Sequence, residues 1–197
     1  MPRTGMTAQE IRAKATDVTL ARMRKHGFEK VRLSDVAKDL GVSHAALYAH
    51  FTDKAALLDA VTERWLNETD AVLEQICLAK KDPLQKIQDW FLKLYEVKRE
   101  RVLCDPELYR AYDLVAMLRK PFVITHLATV NRQLVMLVKE AGGALGGDTP
   151  ERQATLLFEA MSAFHHPKLV AEHLEEKREP LLKRVLDAVL MGMGAGR

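Results

Sequence analysis

Apolar residues recur along the whole chain at spacings of three and four, with polar residues between them, which is the signature of amphipathic helices. Thr7-Ala8-Gln9-Glu10 is a capping box. It opens a first helix with Ile11, Ala15, Val18, Leu20, Ala21 and Met23 as its apolar face and Gly27 as its stop. A second helix starts near Leu33, with Leu33, Val36, Ala37 and Leu40 on one side, and Gly41 follows directly. Glycine there can take the left-handed conformation that ends a helix and turns the chain. Ser43 is a good N-cap for a third helix, whose Leu47 and Phe51 sit four apart and face the second. Thr52 or Asp53 caps a fourth helix reaching about Lys80, with Ala56, Leu57, Ala60, Val61, Trp65, Val72, Leu73 and Ile76 inward. A helix of that length spans about 40 Å.

Asp82-Pro83 pairs a cap with a first-turn proline and predicts a helix to about Leu103, with Ile87, Trp90, Phe91, Leu94 and Val97 inward. Asp105-Pro106 repeats the signal for a helix near 106–118, and Pro121 opens another that ends at Gly142-Gly143. Residues 142–148 read as a flexible connector, since no strand precedes the glycines and no Gly-Lys-Ser/Thr follows them. Asp148-Thr149-Pro150-Glu151 caps a helix to about His165, a short helix covers 168–176, and a last one covers 179–193. No stretch reads as a strand, so the fold class is all-α.

Residues 33–54 form two short helices around a glycine turn, the helix-turn-helix arrangement of DNA-binding proteins. With Leu47 and Phe51 buried, the outer face of the second of these helices carries His44, Ala45, Ala46, Tyr48 and His50, and no acid lies between Ser43 and Thr52. The string Gly27-Phe28, Ala37, Gly41-Val42-Ser43, Leu47-Tyr48, His50-Phe51, Lys54 and Leu57-Leu58 resembles the tetracycline-repressor (TetR) family of bacterial regulators. About ten typed positions agree at fixed spacing, over roughly the first third of the chain. The resemblance implies an N-terminal three-helix helix-turn-helix DNA-binding domain over 1–54. A helical ligand-binding and dimerisation domain over 55–197 follows, with about nine helices in total. It assigns phosphate or groove contacts to Ser43, Tyr48, His50 and Lys54. Physically these are suitable groups, and a helix N-terminus attracts anions.

One position departs from the family pattern: Arg32 stands where a Ser or Thr cap is usual. A cation there opposes the helix dipole, a cost that a neighbouring DNA phosphate would offset. Ser34 is a candidate substitute cap or phosphate donor. Base reading falls to His44, Ala45 and Ala46 at the front of the recognition helix, which has no Arg, Asn or Gln for bidentate base contacts. Much of any sequence preference is therefore expected to come from DNA shape.

Charge supports a polyanion partner at one end. Residues 1–54 hold ten basic and six acidic side chains, a net +4, while the remainder holds 20 and 21, a net −1. Arg3 lies in a loose arm that could reach a phosphate. No apolar run approaches membrane-span length and the N-terminus lacks a signal region, so a cytoplasmic protein without membrane attachment is expected.

The family resemblance also implies a homodimer on a palindromic operator and a pocket for a small apolar or amphipathic inducer. Candidate interface residues are Leu156, Ala160, Phe164, Leu182, Val185, Leu186 and Val189, which form apolar stripes on two helices. Candidate pocket residues are Trp90, Tyr95, Tyr112, Phe122, His126 and Phe164. Neither Cys77 and Cys104 nor His165, His166 and His173 have a metal-ligand spacing, so no metal or cofactor is expected. No nucleophile–base pairing or nucleotide loop points to an enzyme. The competing reading is a helical small-molecule-binding protein without significant DNA binding.

Overall fold

Side-chain caps set five of the helix starts. A computed structural model describes residues 5–106, 109 and 120–194. Before α1 (Ala8–His26), the Thr7 hydroxyl accepts from the Glu10 amide at 3.2 Å and the Glu10 carboxylate accepts from the Thr7 amide at 2.7 Å. α2 (Leu33–Leu40) starts at Arg32 with no side-chain cap, so Ser34 does not substitute for one. Ser43 caps α3 (His44–Tyr48), Asp53 caps α4 (Lys54–Leu78) and Asp82 caps α5 (Pro83–Cys104). Then come α6 (Pro121–Ala141), α7 (Pro150–Ala160), α8 (Ser162–His165), α9 (Pro167–Glu172) and α10 (Glu179–Gly194). The described residues thus hold ten α-helices and no strand. None of the helices is long and apolar enough to cross a membrane. Apart from Pro106 and Tyr109, which are helical, the helix expected near 106–118 lies outside the described residues, as does the Arg3 arm.

The described residues fall into two compact units, 5–66 with those of 105–120, and 67–104 with 121–194. In the first, Ile11, Ala15 and Met23 of α1 pack with Leu33, Val36 and Ala37 of α2, Leu47 of α3, Phe51, and Leu57, Val61 and Trp65 of α4. The buried face of α1 follows an i, i+4 line through Thr19, while Ala21 is exposed, which corrects the apolar face expected there. Arg22 holds Asp39 of α2 through two hydrogen bonds of 2.7 and 2.9 Å, and Arg24 grips the buried Asp105.

The second unit is built on Ile87, Trp90, Phe91, Leu94 and Tyr95 of α5 and Val130, Leu134, Leu137 and Val138 of α6. α7 adds Ala154 and Leu157, and α10 adds Leu182, Leu186 and Leu190. A polar network crosses this core. His126 Nδ1 lies 2.6 Å from the Asp70 carboxylate, and the Gln133 amide donates to the Asp70 carbonyl at 3.0 Å and the Glu74 carboxylate at 2.8 Å. The Trp90 indole donates to Gln133 at 3.2 Å, so three helices share one connected set of buried polar groups.

Two findings depart from the expected pattern. The helix expected to reach His165 breaks at Met161. The reason is local: the His165 ring stacks on Phe158 at 3.9 Å and its Nε2–H donates to the Phe158 carbonyl at 2.7 Å, in place of the amide that would continue the helix. Burial, and then Lys98, push the His165 imidazole down to about 4, so it stays neutral and can hold that tautomer. The glycine connector is partly ordered into a 3₁₀ turn over Gly142–Leu145, and Gly146 sits at φ 86°.

Candidate nucleic-acid interface

The turn between α2 and α3 depends on one backbone conformation. Gly41 adopts φ 67° and ψ 25°, the left-handed region, and its amide donates to the Lys38 carbonyl while the Val42 amide reaches back to Ala37. Ser43 then takes an extended conformation and caps α3 at 3.1 Å. Leu47 and Phe51 are fully buried, which fixes the rotation of α3 about its axis. His44, Ala45 and Tyr48 are consequently exposed, and Ala46 is half-buried. The His44 and Tyr48 rings lie against each other, with centroids 4.3 Å apart and planes tilted by 40°. That contact restricts the His44 ring to one side of the helix front.

The flanking residues are placed less uniformly. Arg32 and Ser34 are exposed at the start of α2, on the same unit. His50 is half-buried, and its carbonyl accepts from Arg12 Nη1 at 3.1 Å. The Arg12 guanidinium also lies 5.1 Å from the Phe51 ring centroid. Arg12 thus ties α1 to the end of α3, a role its place in the sequence does not signal. Lys54 is only half-exposed. Its ammonium donates to the Glu29 carbonyl at 3.0 Å and sits 4.3 Å from the Phe28 ring centroid, so part of its donor capacity goes to bracing the 28–30 turn. No carboxylate occurs among residues 43–52, and the front of α3 therefore presents amide, hydroxyl and imidazole groups without a repelling charge.

Two family models match this chain. One, described as bacterial regulatory proteins of the tetR family, covers residues 15–61, which takes in α2, α3 and the start of α4. The other, a tetracyclin repressor-like C-terminal domain, covers residues 83–186, more than half of the chain. The chain belongs to the TetR family. Similar TetR-type proteins include the HTH-type transcriptional repressor KstR of Mycolicibacterium smegmatis, 31% identical over 109 residues (55% of this chain and 53% of that one). The HTH-type transcriptional regulator AcrR of Shigella flexneri is 31% identical over 97 residues, 48% of this chain and 44% of that one. The chain spans about half the length of the curated relatives it matches. Among solved structures, SmeT, the repressor of the Stenotrophomonas maltophilia multidrug efflux pump SmeDEF, superposes with a TM-score of 0.65 at 20% identity, over 94% of this chain and 91% of that one. Thermus thermophilus FadR in complex with lauroyl-CoA gives 0.64 at 17% identity, over 92% and 94%. At these identities the likeness establishes the TetR fold.

In the second unit of this TetR protein, the predicted interface residues divide. Leu156 is 52% exposed, Ala160 is exposed, and Val185 and Val189 are half-buried. Leu182, Leu186 and Phe164 instead belong to the protomer's own core, which corrects their assignment to an interface. The stripe read along α10 is two adjacent rows: Leu182, Leu186 and Leu190 at i, i+4 face inward, and Leu181, Val185 and Val189 form the less buried row beside them. Phe164 packs edge-on against Tyr95 at 6.2 Å, with the Arg178 guanidinium 4.8 Å from its ring centroid.

The predicted pocket residues are similarly absorbed. Trp90, Tyr95 and Phe164 are packed core aromatics, His126 is paired with Asp70, and Phe122 is half-buried. Tyr112 lies outside the described residues. A groove of about 400 Å³ opens elsewhere in this unit, between α5 and α10, and none of the five described pocket candidates lines it. Gln133, Asp70 and Glu74, which organise the buried network, were not legible as partners because they come from different helices.

Proposed function

We propose that this protein is a dimeric, sequence-specific DNA-binding repressor of transcription that leaves a palindromic operator when a small apolar or amphipathic inducer binds. The observation that carries this reading is the front of α3: a Ser43-capped helix start with His44, Ala45 and Tyr48 exposed and no acid among residues 43–52, its rotation fixed by buried Leu47 and Phe51. α3 enters the major groove. The amides at its start, with Ser43, Tyr48 and His50, meet phosphates, and His44, Ala45 and Ala46 meet base edges. Arg32 and Ser34 meet the backbone beside it, which offsets the cost of a cation at the uncapped start of α2. Lys54 contributes through the donor capacity that Glu29 leaves free.

Two half-sites require two copies. Leu156 and Ala160 of α7 and Val185 and Val189 of α10 supply the exposed apolar surface for a four-helix contact between protomers. Similar proteins named as transcriptional repressors, and a structural neighbour solved with lauroyl-CoA, agree with repression and with a small-molecule signal. Selection of bound fragments from a pool of random duplexes tests the reading. An enriched inverted repeat, bound by two protomers in sedimentation analysis, is expected. Recovery of unenriched sequences by a monomer would refute it.

A further inference from the structure

The groove of about 400 Å³ between α5 and α10 has an apolar floor made by Leu92, Pro180, Leu182 and Leu186, in the size range that holds small ligands. Its polar rim carries two carboxylates and two side-chain amides against one cation. Gln85 donates its amide nitrogen to the Asp89 carboxylate at 2.9 Å, and Gln88 donates its own to Asp187 at 2.6 Å. Each amide therefore keeps its carbonyl oxygen available as an acceptor, beside one remaining N–H. Asp89 and Glu179 add carboxylates, against one rim cation, Lys183. Burial alone would raise the Asp89 carboxyl, but Lys81 at 2.7 Å and Gln85 hold it below the usual range, so it stays charged. Among the described residues Glu179 makes no ion pair.

We propose that this groove binds an amphipathic amine, with its alkyl or aryl body on Leu92 and Pro180, over the buried Leu182 and Leu186, and its ammonium group among Glu179, Gln85 and Gln88. An apolar floor rewards any hydrophobic body, and the acceptor-rich rim discriminates in favour of a donor head group. Such a ligand is the inducer of the reading given above, on which this part of the assignment rests. The location suits that role: Leu182 and Leu186 line the groove, and the half-buried Val185 and Val189 flank them on the same helix. A body wedged against α10 would shift the surface offered to a second copy.

Titration calorimetry of the full chain without DNA tests the site, using decylamine, decanol and decanoate below their aggregation concentrations. Decylamine is expected to bind about tenfold or more tightly than decanoate, the discrimination a matched polar site supplies. Glu179→Gln should weaken decylamine by about two- to fivefold, the range of a half-exposed charge pair, and leave decanol unchanged. Leu92→Trp, which fills the groove, should abolish binding of all three. Equal or tighter binding of decanoate overturns the ligand class, and unchanged decylamine binding in a folded Leu92→Trp protein overturns the site. Should that variant fail to fold, unchanged decylamine affinity in Glu179→Gln overturns the assignment. Operator binding is read separately: decylamine held in the groove with no effect on a DNA complex would sink the inducer role and keep the site.

Discussion

Replacing Gly41 with alanine isolates the backbone cost of the helix-turn-helix corner. Gly41 holds φ 67°, and a Cβ built there meets nothing within 4 Å. No clash contributes, so the penalty is the left-handed conformation alone, about 1–2 kcal/mol for an L-residue. Gly146 gives the contrasting case. Its φ is 86°, and a Cβ there would lie 2.4 Å from the Met193 carbonyl oxygen, a backbone atom that cannot swing aside. Strain and overlap add, and Gly146→Ala should cost about 3 kcal/mol or more. Urea unfolding followed by circular dichroism reads both. Asparagine, which tolerates the left-handed region, should recover most of the loss at position 41. A Gly41→Ala cost equal to that of Gly146→Ala, or a Gly41→Asn protein no more stable than Gly41→Ala, would refute a purely conformational penalty at position 41.

Arg12→Ala removes an exposed side chain and should change stability by less than about 1 kcal/mol, yet weaken DNA binding several-fold because the end of α3 loses its tie to α1. Fluorescence anisotropy with a selected duplex measures this, and wild-type affinity would refute a positioning role. Gln133→Leu strands the buried Trp90 indole N–H and takes a partner from the half-exposed Glu74 carboxylate, and should destabilise by about 1–3 kcal/mol in thermal unfolding; a neutral result would mean the network is not closed. His165 is held at about 4 in the folded state, chiefly by burial, whereas an unfolded imidazole titrates near 6.5. The unfolded chain binds more protons between those values, so stability should fall as pH drops from about 6.5 to 4, by at most about 3 kcal/mol. The pH dependence of wild type minus that of His165→Asn isolates this contribution, and a flat difference would contradict a buried neutral ring.

Local signals carried most of the fold. Thr7, Ser43, Asp53, Asp82 and Thr149 are caps because their side chains bond within three residues, and sequence spacing shows such bonds directly. The Gly41 corner and the burial of Leu47 and Phe51 were legible for the same reason. What escaped depends on partners far along the chain. The break at Met161 arises from a side chain four positions on, with neither Gly nor Pro to mark it. On α10, periodicity alone gives one broad apolar surface, and only the packing of α5 and α7 separates the inward Leu182 and Leu186 from the outer Val185 and Val189. Aromatic richness near Trp90 and Tyr95 predicted a pocket, but those rings fill their space, and the groove lies beside smaller, more polar residues. The role of Arg12 needs α1 and α3 to be adjacent, which spacing does not encode.

The central claim is that the front of α3 reads duplex DNA, and the ratio of affinities for a selected duplex and its scrambled counterpart tests it most directly. Wild type should prefer the selected duplex, with both affinities falling steeply as salt rises. His44→Ala should lower the ratio, leaving the part that DNA shape supplies, while Tyr48→Ala weakens both complexes and leaves the ratio largely intact. Equal affinity of the wild-type protein for both duplexes, or a ratio untouched by His44→Ala, would contradict the account.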